Sequence, residues 1–471
     1  YHRNVNPEPR FGFSWNPGRG KSVVRGGYGI THDFLFLNPI TNLRTAPPFI
    51  QSPSLSGAAS FAGTNSYANL VAGTAGVQAD AGAAVGIFSS SQTNFGNFSP
   101  IDRNLKNPQV QQWNLTIERQ LTNTLVAKAS YVGTVSHYLQ RARHINMIPP
   151  GTVRPASDPA DEIARLPEFT NVFNREQGPL NGSSNRIDPR FNRVTLVDSS
   201  SSSNYHALEA QVIKRYSIGY QFQVAYTWSK SIDDSSDPLG VLVNDMQWAQ
   251  NPFNYRDNRG VSQFDIPHRL VINHNYEPQL FKNMGGAGGK ILHGWEFNGI
   301  FEVRSGFTTN VFVGPRYGIS DTALTGNTTT PLNVIRPNVV GDLSTLVFAP
   351  LGSPLAAKIP PPAARGVNTT ATQRNTNTSG YPLVQPLLGT FGNLGRNVLR
   401  LNGFKNFDWA LLKNTKVKED LTVQFRAEFF NVFNNVSFGR FTNDLSSPSF
   451  GTYSGTDTTP RQIQFALKLL W

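Results

Sequence analysis

The 471-residue sequence contains no cysteine, only three methionines and only 15% charged residues. Without cysteine there is no disulfide framework, no thiolate metal site and no cysteine nucleophile. No run of about 18 apolar residues occurs, so a helical membrane span is excluded. The stretch richest in Ala and Gly, 71–88, is interrupted by Gln78 and Asp80. Long helical periodicity is nearly absent. Lys and Arg exceed Asp and Glu, giving a net charge of +12. They are scattered, with no basic run and no nucleic-acid module, which argues against a nucleic-acid partner. One membrane solution survives these absences. A transmembrane β-barrel alternates apolar and polar residues and keeps an ordinary mean hydropathy.

What is present is alternation with a period of two. Tyr220, Phe222, Val224, Tyr226 and Trp228 fall on one face of an extended chain, and Gln221, Gln223, Ala225, Thr227 and Ser229 on the other. The last segment repeats this, with Ile463, Phe465, Leu467, Leu469 and Trp471 opposite Gln462, Gln464, Ala466 and Lys468. Similar faces run through 421–429, 295–304 (with Ile300 as the exception), 113–118, 125–131, 208–212 and 407–411. Weaker ones run through 11–15, 24–30 and 269–276. These are eleven candidate strands, most about 8–11 residues long, close to what a tilted membrane-spanning strand needs. Soluble strands are commonly nearer 5–6 residues.

The connections alternate short and long. The short ones are 16–21, 119–124, 216–219, 277–293 and 416–420; the long ones are about 31–110, 139–203, 233–264, 306–405 and 435–460. Outer-membrane barrels combine short periplasmic turns with long extracellular loops, whereas soluble domains rarely hold structureless loops beyond roughly 12–15 residues. The long connections are rich in Ser, Thr, Asn, Gly and Pro, with serine throughout 199–203. That composition predicts solvated, partly mobile loops. Asp233, Asp234 and Asp237 lack calcium-loop spacing and are expected in such a loop. Gly26, Gly27 and Gly29 lack a phosphate-loop context; they are expected to permit curvature or close approach of another backbone.

An outer-membrane barrel ordinarily has an even strand count with both chain ends periplasmic. Eleven is odd, and the sequence starts at Tyr1 without an initiator Met or signal segment. The expectation is that 1–471 is the C-terminal portion of one barrel whose earlier strands lie upstream.

Seven stretches carry a family resemblance: RFGFSWNPGRGKSVVRGGYGI (10–30), VQQWNLTIERQL (110–121), NYHALEAQVIKRYSIGYQFQVAYTWSKSIDD (204–234), GWEFNGIFEVRSGF (294–307), FGNLGRNVLR (391–400), VQFRAEFFNVFNN (423–435) and PRQIQFALKLLW (460–471). In order and spacing the set resembles the C-terminal barrel of TonB-dependent outer-membrane receptors, specifically the Oar-like group. The resemblance implies an all-β, antiparallel transmembrane barrel of 22 strands in the outer membrane of a Gram-negative-type bacterium, so eleven strands are half of it. It also implies an N-terminal plug, a segment contacting the TonB complex and often a carboxypeptidase-regulatory-like domain. None of these is within this sequence. The family usually ends in Phe; here the end is Trp471.

The resemblance implies uptake of a bulky solute of unknown identity. The alternative reading is a structural, adhesion or export barrel whose loops hold a surface partner; a third is a secreted soluble β protein. Enzyme activity has no support: the eight His are dispersed, there is no HExxH, and no cofactor is expected.

Phe465, Leu467, Leu469 and Trp471 resemble the signal read by the barrel-assembly machinery, and an alternating apolar edge suits capture by strand addition. A simple lipid-facing last strand is the plainer reading, and both hold together. Trp15, Trp113, Tyr131, Trp228, Trp295 and Trp409 lie near strand ends on apolar faces and are expected to form an aromatic girdle against outer-membrane lipid. Core packing in a soluble sandwich is the alternative. Arg25, Glu209, Arg269, Glu302, Arg304, Arg426 and Glu428, with Lys128 and Lys468, are expected to line the lumen. There they contact a plug, pair across strands or guide a solute. Some basic residues are expected to meet anionic headgroups or sugars at a leaflet surface; the alternative is local pairing in solvated loops.

Overall fold

A computed structural model of the chain describes residues 6–18, 20–35, 100–146, 154–168, 188, 194–237, 249–251, 253–279, 283–314, 335–367, 376–418 and 421–471. Most of the first long connection, 36–99, therefore lies outside the described residues. Eleven strands follow one another in chain order as one antiparallel sheet. They are β1 (Arg10–Trp15), β2 (Ser22–His32), β3 (Gln109–Gln120), β4 (Leu125–His144), β5 (Thr195–Ser217), β6 (Tyr220–Asp233), β7 (His268–Tyr276), β8 (Trp295–Arg304), β9 (Phe404–Lys418), β10 (Leu421–Phe430) and β11 (Gln462–Leu470). A two-residue segment, Gly260–Val261, adds to the end of β6. Among the described residues β1 and β11 are the two edges, so the sheet is open.

Every expected strand is present, but the middle ones are longer than expected. β4 has 20 residues and β5 has 23. Their hairpin runs on until His144 meets Thr195, so much of the expected loop after residue 139 is sheet. The register shifts around Leu139, next to Tyr138 at φ 57°, as a bulge does. The serine run extends the ladder because strand pairing needs backbone groups, not apolar side chains; Ser201 is buried there.

Directly paired residues share a face. One row links Trp15, Val24, Ile117, Ala129, Ala210, Tyr226 and Leu270 across seven strands. The adjacent row, on the opposite face, links Ser14, Arg25, Thr116, Ser130, Glu209, Thr227, Arg269 and Arg304. The period-two pattern thus gives one continuous apolar face and one continuous polar face. The polar-face exception, Ile300, pairs with Asn273 and Asp408.

Of Gly26, Gly27 and Gly29, only Gly26 is on the apolar face, and there, as at Gly133 and Gly299, an aromatic ring covers the glycine. A Cβ on Gly26 would lie 2.3 Å from the Phe13 ring, one on Gly133 2.3 Å from the Trp113 indole, and one on Gly299 2.5 Å from the His274 imidazole. Rings of neighbouring strands, not another backbone, cover these glycines and shield their peptides from an apolar surrounding.

The apolar core lies outside the sheet. A single-layer sheet with one apolar and one polar face has no second layer to pack against among the described residues. Instead the connections after β8 and β10 fold together. Val311, Val367, Leu383, Leu394, Leu445 and Phe450 are buried in one cluster. Short pairings lace it: Thr308–Thr309 with Leu399–Arg400, Asn338–Val339 with Leu383–Val384, and Ala349–Pro350 with Thr452–Tyr453. The connection after β4 joins through helix α1 (Pro159–Ala164), whose buried Glu162 accepts from the Leu388 amide at 2.9 Å. This loop cap corrects the expectation of solvated, mobile loops for its described residues. Their apolar side chains are too few per segment to show a period, but enough in sum to bury.

Candidate functional site: the polar wall and its loop cap

Charges on the polar wall are mostly satisfied by each other. Arg25 meets Glu118 at 3.3 Å and Arg426 meets Glu428 at 2.6 Å. Arg269 and Arg304 are direct cross-strand partners, a like-charge pairing that is unfavourable by itself. Glu302 offsets it, standing 2.9 Å from Arg269 and 3.9 Å from Arg304. The Arg304 guanidinium also lies over the rings of Phe307 and Phe404, at 4.8 and 4.7 Å. Ion pairs among the described residues engage six of the nine residues named from sequence; Lys128 and Lys468 make none. Glu209 makes no ion pair among the described residues.

The cap stands on this wall at its long-loop end. Ser229, Ser231 and Asp233 belong to the polar face, paired with Ala207, Tyr205 and Ser203. The buried Arg396 guanidinium donates to the Asp233 carboxylate and, at 2.7 Å, to the Asp233 carbonyl. Arg400 donates to the Asp265 carboxylate at 2.7 Å and to the Asp265 and Gly306 carbonyls, each at 2.8 Å. Asp265 in turn accepts from the Ser231 amide at 2.6 Å. Asp233 was expected in a solvated loop; it is buried because the cap covers it. Its neighbour Asp234 accepts from Arg259 at 3.0 Å.

Inside the cap, Arg365 donates to the Leu445 and Ser447 carbonyls at 2.9 and 2.8 Å. Burial pulls its guanidinium down to about 10 and pushes the neighbouring Tyr381 phenol up to about 12. Both shifts reflect desolvation of the charged form.

Beneath residues 264–266 a cavity of about 360 Å³ opens on the wall. Tyr205, Glu209, Thr227 and Arg269 form its wall side, and Phe264, in the connection between β6 and β7, flanks it. A second hollow of about 560 Å³ lies toward the short turns, where Gln221, Gln223, Asn273, Asn275 and Asn298 bring their amides together. The sequence reading found Glu209 and Arg269 but not Tyr205 or Phe264. It also missed the cap arginines, although FGNLGRNVLR contains both Arg396 and Arg400.

Trp15 and Trp295 stand at the short-turn ends of their strands. Trp113, Tyr131, Trp228 and Trp409 stand inside theirs, with Trp409 opposite Gly299 at the middle of β8. Trp15 and Trp295 are thus terminal in their strands, whereas the strands of the other four run on beyond them toward the long loops. Two histidines lie among the aromatic side chains of the apolar face: Tyr131 bonds His206 and Tyr226 bonds His268, each at 2.8 Å. Phe465, Leu467 and Leu469 lie on the edge strand β11, all exposed, and Trp471 follows it, 92% exposed.

The sequence matches the family described as outer membrane beta barrel domain over residues 1–464. The chain belongs to the outer membrane beta barrel domain family. The barrel domain therefore resides in the outer membrane, where such barrels turn an apolar band to lipid and a polar interior to the lumen. No curated protein matches it. Among solved structures it is similar to the outer membrane transporter YddB from Escherichia coli, with 10% identity and a TM-score of 0.44, covering 98% of this chain and 40% of that one. It is also similar to the ferric-catecholate import receptor Fiu from E. coli K12, with 9% identity and a TM-score of 0.37, covering 98% and 34%. The ferripyoverdine receptor of Pseudomonas aeruginosa matches with 9% identity and a TM-score of 0.36, covering 98% and 32%. The barrel domain thus spans 32–40% of the length of these three structures.

Proposed function

We propose that this chain is wall and cap of a TonB-dependent transporter of the Oar-like kind, taking a bulky solute across the outer membrane. The observation that carries this reading is the cap. Long loops fold around one apolar core and are tied to the polar wall by buried arginines, beside an open cavity on that wall. A barrel serving only as a scaffold gains nothing from roofing its own interior. In this reading Glu209 and Arg269 hold polar groups of the solute, Tyr205 and Thr227 add hydrogen bonds, and the Phe264 ring supplies an apolar plate. A solute with many polar groups and some apolar surface suits such a site. The aromatic belt meets lipid at the interfaces, and TonB is engaged through the N-terminal region of the whole receptor.

The test is uptake of candidate sugars, peptides or siderophores by cells carrying the full-length gene, with and without an energised inner membrane. Glu209→Ala and Arg269→Ala are each expected to weaken uptake at low solute about tenfold or more, as loss of a charged hydrogen bond does. Uptake that needs no energy would count against TonB coupling; uptake untouched by both variants would count against this cavity. Solute-free adhesion or export, lost on deleting the cap, would favour the structural barrel instead.

We also assign Phe465, Leu467, Leu469 and Trp471 to recognition by the barrel-assembly machinery. Deleting Trp471 is expected to reduce assembled barrel in the outer membrane, and unchanged assembly would overturn the assignment.

A further inference from the structure

The short-turn rim combines basic and apolar side chains. Spans 16–21, 119–124, 214–219, 277–294 and 413–420 hold ten Lys and Arg against three Asp and Glu, a net of +7 out of the chain's +12. The last four spans also expose apolar side chains: Leu121, Ile218, Ile291 with Leu292, and Val417. A turn in open water has no use for them. Ile218 is 88% exposed and occupies a two-residue turn at φ 54°, followed by Gly219 at φ 75°. Asn or Asp is the ordinary choice there, and a β-branched residue is strained.

Helix α2 (Gly286–Leu292), in the connection between β7 and β8, shows which side of the sheet this rim addresses. The Trp295 indole N–H donates to the Ile291 carbonyl at 2.9 Å. Trp295 pairs with Lys413 and shares the apolar face with Phe297 and Leu411. The Lys413 ammonium donates to the His293 carbonyl and stands 5.8 Å from the Trp295 ring. The end of α2 is thus tied to the apolar side of β8 and β9, away from the lumen. Ile291 is 65% exposed there, and the adjacent Lys290 is exposed and makes no ion pair among the described residues. Lys214 shares that face through its pairing with Leu125 and Phe222, and Lys418 through its pairing with Leu421.

We infer that this rim, centred on α2, is a seat for anionic phospholipid of the periplasmic leaflet. Its apolar side chains enter the acyl boundary while its lysines meet headgroup phosphate, the division of labour of interfacial helices and basic lipid-binding clusters. The inference rests on the chain's membrane-spanning character and holds whether or not the barrel transports.

Because the sequence lacks cysteine, one introduced thiol carries one fluorophore. The full chain is labelled at Ile291→Cys, at Leu467→Cys as a lipid-facing reference, or at Leu355→Cys in the cap. It is then folded into phosphatidylcholine vesicles containing phosphatidylglycerol, with a nitroxide near the headgroup of one lipid or the other. The expected result at Ile291 is quenching about twofold stronger from nitroxide-phosphatidylglycerol than from nitroxide-phosphatidylcholine, with little quenching at Leu355. Combining Lys214→Gln, Lys290→Gln and Lys418→Gln is expected to equalise the two lipids at Ile291 and leave Leu467 unchanged. Equal quenching by both lipids in the otherwise unaltered chain would overturn the anionic seat. No quenching at Ile291 beside strong quenching at Leu467 would overturn it too, and point to water or a periplasmic protein at the rim. No quenching at Leu467 either would overturn the membrane-spanning reading, and the inference with it. Should the lysine variants fail to fold, the lipid ratio at Ile291 with all lysines intact decides alone.

Discussion

Arg396→Met is expected to release the cap from the wall, at a loss of about 3–5 kcal/mol in the stability of that attachment. Both partners are out of water: the side chain of Arg396 is 0% exposed and that of Asp233 2%. Removing the cation leaves the Asp233 carboxylate buried without its main partner, and the desolvation of that charge is no longer offset. The Arg25–Glu118 pair is the contrast, because its arginine side chain is 54% exposed. Arg25→Met should stay within about 1 kcal/mol, since water already solvates both groups. Combining Arg396→Met with Asp233→Leu should recover much of the loss, because a buried pair replaced whole by apolar groups is often neutral. Hydrogen exchange and limited proteolysis across 231–236 and 392–400 check this. Equal protection in Arg396→Met and the parent chain would show that the cap is held elsewhere. In the transporter reading the released cap also loosens the end of the wall above Glu209, through Asp233 and the Arg400–Asp265 pair, so Arg396→Met should impair uptake without touching the solute-contacting residues.

The two halves of this molecule differ in how far they could be read from sequence. The strands were legible because each must satisfy lipid on one face and the lumen on the other, so every second residue is constrained. Tyr220 to Ser229 shows this residue by residue, and the structure pairs those faces as read. Register was not legible, and whatever depends on register stayed hidden. The cover of Phe13 on Gly26 needs the pairing of β1 with β2. Glu302 between two arginines needs Arg269 opposite Arg304. The cap was hidden for another reason. Its ladders are two residues long and leave no period, and its anchoring arginine lies 163 residues from its aspartate. Serine-, asparagine- and glycine-rich composition reads as solvated loop, yet the same composition turns tightly around a few buried side chains. Arginine, expected at surfaces, is here among the most buried residues: Arg336, Arg365 and Arg396 are all under 2% exposed. Their reach satisfies loop carbonyls that a short segment cannot pair with its own backbone.

Phe450→Ala is expected to unfold the cap and leave the sheet standing. Phe450 is 0% exposed, with the rings of Phe441 and Tyr381 edge-on at 6.2 and 6.3 Å and the Arg365 guanidinium 5.2 Å away. Truncating a buried Phe costs about 3–5 kcal/mol through lost transfer energy and the cavity left behind. That loss falls on a core with no side chain from the long strands, so it should not propagate through the strand ladder. Tyr381→Phe is the control within the same core. The Tyr381 hydroxyl is buried and finds no hydrogen-bond partner among the described residues. Removing it should be neutral or stabilising by up to about 1 kcal/mol, since an unsatisfied buried hydroxyl is already a cost. The readout is twofold: protease and hydrogen-exchange sensitivity of the cap, and the heat-dependent gel mobility that reports a folded barrel. Phe450→Ala should expose the cap to protease with mobility unchanged, whereas Tyr381→Phe should change neither. Loss of barrel mobility in Phe450→Ala would mean that cap and sheet fold as one unit. The cap would then be part of what holds the strands together, and no longer a separable roof over the polar wall.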